Sequence, residues 1–517
     1  MTLSTQIYLV ELTGYDSTVS SVVTRYYSTG VGYSTSPTET PPNTLFDPRV
    51  IQPALLSRNL FGGGRTSGKT QLTYGEIVLA NKDGDLDSLL DLGLDGRTVT
   101  IRRGLPDAAY PSGFTTVLVG VVEQIDCSVD TITVRLRAAD FKTDIPFQTS
   151  KYGGTNALPA GVDGVEGDLK RKPKPILYGS VTNISPPCVN TSRLIFQVND
   201  GAVNAISAVY DQGTSLTVGV ARASQSDLET NTPTAGQFDT YLAGGLFRLG
   251  SDPVGPVTCD TAEAATAALR YPAQIADRVL KNRLGFTALQ VSSADVTALD
   301  LAAPYESGFW WDEETTGTDV LDAVLTSAGA SWGPDMSGVM RMKQFVAATG
   351  APDHAFVATD IIGNVYRSPT ADQDRGVPVF AVIVRYAKNY TVQTSGVASG
   401  VTEARRSVIA QEWRDARYTD ATVQTKHLLA AEIIVETGIV SAANALTEAT
   451  RLQVLRGTRR DRFEFVVPQD DETILLDLNN VVSITHPRYG LDTGPLARLI
   501  GIEPNAQEKT LRLTGWV

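Results

Sequence analysis

The sequence predicts a mainly β chain with some α (α+β), divided into several domains, on three observations. Short runs that alternate apolar and polar residues fill both ends of the chain, whereas helical spacing is strong in only a few stretches. Turn formers are abundant, with 45 Gly and 26 Pro, as strands joined by tight turns require. At 517 residues the chain exceeds what one hydrophobic core serves, so roughly two to four domains are expected.

Residues 6–12 alternate as a strand, and 70–80 (TQLTYGEIVLA) and 97–102 repeat the pattern between Gly- and Asp-rich turns. Residues 117–125 and 131–137 read as a hairpin, which makes 1–147 a β-barrel or sandwich domain. Residues 148–175 are rich in Gly, Pro and Lys with little apolar periodicity, and read as a linker or extended arm. Short β runs return over 176–260, including 193–198 and 205–210, as a middle β domain.

Helical spacing becomes strong at 272–284, where Ile275, Ala276, Val279 and Leu280 share a face behind Pro272. It recurs at 318–328, with Val320, Leu321, Val324, Leu325 and Ala328 on one face and Gly329 as the stop. A small α+β domain is therefore expected over 261–350. The last region, 351–517, has a strand at 379–386 and a helix at 442–456, capped by Ser441 and ended by Gly457. Ala445, Ala449, Leu452 and Leu455 give that helix a narrow core-facing stripe. Residues 462–467, 480–485, 497–502 and 510–516 alternate as strands of a second barrel-like domain.

The charge balance, 57 Asp plus Glu against 44 Lys plus Arg, leaves −13. That charge repels a phosphate backbone and argues against gripping nucleic acid. Cys127, Cys188 and Cys259 are odd in number and far apart, so they suggest neither a disulfide framework nor a metal-ligand set and read as buried free thiols. The start lacks a basic segment followed by an apolar run, and no stretch approaches the roughly 18 apolar residues of a membrane span. Synthesis and folding in cytoplasm are expected.

Residues 63–70 (GGRTSGKT) satisfy the phosphate-loop pattern, with Lys69 placed for the phosphates and Thr70 for magnesium. That chemistry needs a strand before the loop and a helix after it. Here prolines precede the string and an alternating strand follows, so a Gly-rich turn is the better reading, and the run 474–477 that imitates a magnesium-binding strand end falls with it. GASWG at 329–333 imitates a nucleophile elbow at Ser331, but a helix precedes it where a strand is required, and neither His354, His427 nor His486 is marked as a partner. Asp492-Thr493-Gly494 has too little chain after it for an aspartic protease. Asn81, Asp83, Asp85 and Asp87 alternate oxygen ligands around Gly84, yet no glutamate closes the loop at the calcium-binding spacing, so a solvated turn is expected. No catalytic residue, cofactor or metal ligand is assigned.

Lys170, Arg171, Lys172 and Lys174 form the one concentrated basic cluster, interrupted by Pro173 and followed by Pro175. They read either as a candidate docking arm or as a solvated linker. Trp310-Trp311 reads as an interface anchor or a core pair.

FDPRVIQPALLSRNLF, followed by GEIVLANKDGDLDSLLDLGLDGRTVTIRRG, resembles the N-terminal region of tail-tip and baseplate hub proteins of tailed bacteriophages and prophages. DLKRKPKPILYGSV, VNDGAVNAISAVYDQG and GGLFRLGSDPVGPVT are similar to the middle of such proteins, and LLDLNNVVSITHPRYGLDTG with LRLTGW to their last barrel. The segments occur in order over most of the chain, though none is a catalytic signature; the Lys69-Thr70 ending departs from the family pattern. The resemblance implies two tube-like β-barrel domains per chain and a structural, non-enzymatic role in the virion at the tail tip. It implies a homotrimer whose six barrels match a six-fold tail tube. Implied partners are a distal tail or tube protein, a central fibre or tip protein and the tape measure protein, with DNA passing through the lumen without specific binding. A hexameric distal tail ring, a receptor-binding tip protein and, from a different class, a phosphate-loop enzyme are the alternatives. On the hub reading, residues 68–70 run into the strand at 71–79 and leave Lys69 for a neighbouring subunit or the lumen.

Overall fold

The computed structural model describes residues 6–60, 67–369, 377–505 and 508–517. It is mainly β with some α, its strands spread over several sheets with helices set between them.

In the first β unit the seven-stranded sheet runs Ser21–Ser28, Ile7–Asp16, Thr98–Gly104, Phe114–Cys127, Thr131–Ala138, Glu76–Ala80 and Val50–Gln52. Neighbouring strands stand about 4.8 Å apart, so a flat sheet of this order would separate its end strands by about 29 Å. Asp47, just before the last strand, instead bonds to the first: Ser28 N donates to Asp47 O at 2.7 Å and Asp47 N to Tyr26 O at 3.0 Å. The sheet is therefore rolled into a barrel. Alternate residues, among them Leu12, Ile77, Val99, Leu118 and Val134, point inward to one core.

The C-terminal sheet follows the path His354–Val357, Val481–Thr485, Leu496–Asn505, Thr510–Trp516, Asp461–Pro468 and Ile362–Pro369. Laid flat, its end strands would lie about 24 Å apart. The chain from Val357 to Ile362 spans at most about 17 Å, and it turns within that span, Asp360 N donating to Val357 O at 2.9 Å. This sheet too is curled, around Phe356, Phe463, Phe465, Ile484, Leu499 and Leu513.

A ribbon joins the two β units. After Val50–Gln52 the chain leaves the first barrel, and the strand Leu56–Asn59 pairs with Gln71–Tyr74 on one side. On its other side it pairs with the second barrel, Asn59 opposite Gly501 and Arg58 opposite Ile502. The single strand expected over 70–80 is thus two strands, broken at Gly75: Gln71–Tyr74 extends the second barrel's sheet and Glu76–Ala80 belongs to the first. Gly75 N donates to Leu55 O at 2.9 Å, and a Cβ at Gly75 would approach Leu55 N to 3.1 Å. Glycine permits this crossing of two backbones.

Two five-stranded sheets form the middle unit around Phe238, Phe247, Cys259 and Trp310. Residues 148–175, expected as a linker or arm, fold against it: Tyr152 and Leu169 pack with Val189, Ile195, Leu228 and Leu246. The helices Pro272–Arg278, Ser293–Ala302 and Gly317–Thr326 lie beside the strands Ala330–Pro334 and Met340–Gln344. Gly329, at φ 58°, sits in the left-handed region that stops the third of these helices.

The helix Ala442–Arg456 packs on the three-stranded sheet Arg414–Thr419, Ala381–Tyr386 and Glu432–Glu436, and only Leu455, near its end, joins the core of the barrel in which the helix was expected. Its Ala445, Ala449 and Leu452 share a core with Val320, Leu321, Val324 and Trp332. The topology explains this: Ile362–Pro369 and Asp461–Pro468 are neighbours in the barrel, and none of the described strands between them joins the barrel's sheet. Ser441 caps without a side-chain bond, and Gly457 ends the helix at φ −76°, outside the left-handed region.

Candidate functional site

The strings that most resemble enzyme motifs meet at one junction. Residues 63–66 of the phosphate-loop string lie outside the described residues. Gly68–Lys69 is a short strand parallel to Ala330–Pro334, Gly68 opposite Ser331 and Lys69 opposite Trp332, and Thr70 N donates to Trp332 O at 2.7 Å. The strand Gln71–Tyr74 follows, where a phosphate loop runs directly into a helix.

Lys69 is held within the chain. Its Nζ lies 3.2 Å from Asp140 Oδ2 and 3.2 Å from Asp144 Oδ1, donates to Thr143 Oγ1 at 3.1 Å and Thr318 Oγ1 at 3.3 Å, and sits 5.5 Å from the centre of the Trp332 ring. Its backbone N donates to Asp322 Oδ1 at 2.8 Å, which also accepts from Trp332 Nε1 at 2.7 Å. The expectation that Lys69 faces a neighbouring subunit or the lumen is corrected: a buried carboxylate, Asp140, holds the ammonium against the α+β layer. Burial works to raise the Asp144 carboxyl, but the charge and hydrogen bond of Lys69, with Thr318 and Arg137, outweigh it and hold its pKa below the usual value.

Ser331 is buried in a strand, and its Oγ donates to Lys343 O at 3.3 Å. The helix Gly317–Thr326 precedes it, the reverse of a nucleophile elbow. The run 474–477 begins in the 3-10 turn Thr473–Leu475, and Asp477 is the ion-pair partner of Arg58, a guanidinium 1% exposed. Thr70 and Asp477, the two residues that would share a magnesium ion in a phosphate-loop enzyme, do line one small cavity. Arg58 already occupies the carboxylate there.

The acidic turn is filled by protein groups. Arg49 Nη1 contacts Asp83 Oδ1 at 2.6 Å and Nη2 contacts Asp85 Oδ2 at 3.2 Å, while Asn81 Nδ2 donates to Asp87 Oδ1 at 2.8 Å. The hydrogen bond from Arg49 depresses the Asp83 carboxyl. Among the described residues no three His, Cys, Asp or Glu side chains are grouped to hold a metal.

The basic cluster caps a folded loop. Arg171 N donates to Tyr152 O at 2.8 Å and Tyr152 N to Lys172 O at 2.9 Å, and Arg171 takes φ 70° at the tip. Lys170 pairs with Glu166. Lys174 lies 3.3 Å from Asp163 Oδ1 and 5.3 Å from the Tyr152 ring centre, so it anchors the loop while Arg171 and Lys172 are exposed. Trp310 is buried, donating from Nε1 to Val198 O at 3.0 Å, and Trp311 stacks on Phe309 at 5.5 Å. The pair is core. Asp492 and Thr493 lie exposed in a turn between two barrel strands. Cys259 is buried, Cys188 half-buried and Cys127 exposed; burial pushes the Cys188 thiol up to about 11.

What sequence reading missed at this junction is Arg58. Its signal was an Arg inside an apolar run, PALLSRNLF, with no nearby acid to mark its partner. Among the described residues no helix is long and apolar enough to cross a membrane.

No family model and no curated protein matches the chain. Among solved structures it is similar to the 43 kDa tail protein of prophage MuSo2 from Shewanella oneidensis, at 11% identity over 98% of each chain with a TM-score of 0.43. It is also similar to the tail protein from Neisseria meningitidis MC58, at 10% identity over 90% of this chain and 97% of that one, TM-score 0.35. A third similarity is to prophage tail protein gp18 from Listeria monocytogenes EGD-e, at 8% identity over 99% of this chain and 94% of that one, TM-score 0.35.

Proposed function

We propose that this chain is a structural protein of a bacteriophage tail, the hub of the tail tip or baseplate, and that three copies close into a ring. The observation that carries this reading is the ribbon. After leaving the first barrel the chain adds the strands Leu56–Asn59 and Gln71–Tyr74 to the second barrel's sheet, so on this reading the two barrels of one chain stand side by side as consecutive segments of a ring wall. Three such chains present six barrels, matching a six-fold tube above and a three-fold tip below. The net charge of −13 suits a lumen through which DNA slides without sticking.

The partners on this reading are a distal tail or tube protein, a central fibre or tip protein and the tape measure protein, and the exposed Arg171 and Lys172 are the candidate docking residues. The chemistry of the junction supports a non-enzymatic role, because Lys69, Ser331 and Asp477 are each consumed by internal contacts. Counting copies per particle by mass measurement on purified tails tests the reading. Three copies are expected; six would favour a hexameric distal ring.

A further inference from the structure

Resting on the reading of the chain as a segment of a ring, we propose that copies meet head to tail. The outer rim of one copy's first barrel docks on the arginine-rich end of the next copy's second barrel.

The topology separates the two surfaces. In the first barrel, Asp16, Thr98, Cys127, Thr131 and Ala80 begin or end their strands on one rim, whereas Ile7 and Gly104 lie on the other. That second rim is occupied within the chain. Gln6 Nε2 donates to Asp471 Oδ1 at 2.5 Å, Arg103 Nη2 donates to Gln469 O at 3.3 Å, and Ile474 packs in the first barrel's core. In the second barrel, residues 469–474 follow Pro468, which stands opposite Thr510, while Pro369, Asp461 and Trp516 share the far end. The barrels therefore meet through their inner rims, and the outer rim of the first lies away from the far end of the second.

The outer rim of the first barrel has an apolar centre. Val19, Leu90 and Val129, from three different loops, are 60%, 56% and 89% exposed. Apolar tips grouped in this way mark an interaction surface. The same loops, 17–20, 81–97 and 128–130, carry six aspartates against Lys82 and Arg97. Arg49 binds Asp83 and Asp85, while Asp91, Asp95 and Asp130 are exposed. An apolar centre with an acidic margin selects a partner with a basic one.

The chain itself carries that complement. Residues 456–462 hold Arg456, Arg459, Arg460 and Arg462 with Asp461 as the one acid, and Arg367 lies beside them on the neighbouring strand. Arg367 and Arg459 share Asp461, at 2.5 and 3.8 Å, and the Arg459 side chain is 58% exposed. One carboxylate among these arginines leaves the end positive. Because the two surfaces are different parts of one chain, the contact is heterologous and repeats until the ring closes.

Analytical ultracentrifugation of the full chain across a salt series tests this. Three copies are expected at low salt, falling to one by about 1 M, where charges are screened within about 3 Å. Asp91→Lys with Asp95→Lys is expected to abolish assembly at low salt and leave the unfolding midpoint unchanged, since both residues are exposed. Adding Arg459→Glu to that variant is expected to recover assembly by reversing the contact. A parent that is monomeric at low salt, a doubly reversed variant that still assembles, or a loss that Arg459→Glu does not reverse overturns the proposal. Copy number in purified tails separates this from the hub reading. Three copies per tail with an unaffected variant removes the contact alone, whereas six copies with a variant that fails to assemble removes the hub reading alone.

Discussion

Lys69→Met separates the structural role of the junction from the nucleotide chemistry that its sequence imitates. Methionine keeps an apolar stem against Trp332 but removes the ammonium. Asp140, whose side chain is 2% exposed, then loses the charge that stands 3.2 Å away. Removing one partner of a buried ion pair costs about 3–5 kcal/mol. The Lys69 side chain is itself 25% exposed, so solvent already screens part of the interaction and about 2–3 kcal/mol is expected. For a cooperative unit of about 150–250 residues that lowers the unfolding midpoint by about 4–12 °C. Thermal denaturation followed by circular dichroism measures the shift, and Lys69→Met combined with Asp140→Asn should recover part of it, since the orphaned charge is gone. Calorimetric titration of the parent with ATP should show no binding. An unchanged melt together with ATP binding that the variant abolishes would refute the reasoning.

Three further outcomes are expected. Asp477→Asn leaves Arg58 buried without its counter-charge and should cost about 3 kcal/mol, read by urea denaturation; a neutral result would mean that Arg58 reaches solvent. Arg451→Met strips the bidentate partner, at 2.6 and 2.8 Å, from the fully buried Glu448, and should destabilise the helix Ala442–Arg456 by about 3 kcal/mol with loss of hydrogen-exchange protection there. Because Asp144 is held below its ordinary pKa, its stabilisation is complete above the unfolded carboxylate value of about 3.9 and is lost as pH falls through its lowered folded value. Asp144→Asn should therefore flatten the acid limb of a stability-against-pH curve, and an unaltered slope would remove Asp144 from the account.

The barrel strands were legible because one face of each is buried, and alternation records that directly. The hairpin of Phe114–Cys127 and Thr131–Ala138 and the closing strand Thr510–Trp516 lie where the pattern put them. Alternation does not say which sheet a strand joins. TQLTYGEIVLA reads as one strand, yet Gly75 divides it between two barrels, and the local signs were the glycine itself and the slip of the apolar phase there, from Leu72 and Tyr74 to Ile77 and Leu79. The helix Ala442–Arg456 shows the same limit, since its stripe gave the buried face but not the partner. In 148–175 the anchors Tyr152 and Leu169 are isolated apolar residues without period, so a packed loop read as a linker. At the junction, the absence of a helix after Thr70 was enough to reject phosphate binding. The partners of Lys69 were not readable, because Asp140, Asp144 and Asp322 are distant in sequence and reach it only through the fold.

Imaging of intact tails by electron cryomicroscopy at a resolution that separates subunits tests the central claim most directly. The account predicts three copies of the chain at the tip, with the first and second barrels alternating around a six-fold lumen and the ribbon strands Leu56–Asn59 and Gln71–Tyr74 lying in the wall between them. Absence of the chain from the particle, or a ring in which only one barrel of each copy lines the lumen, would contradict it.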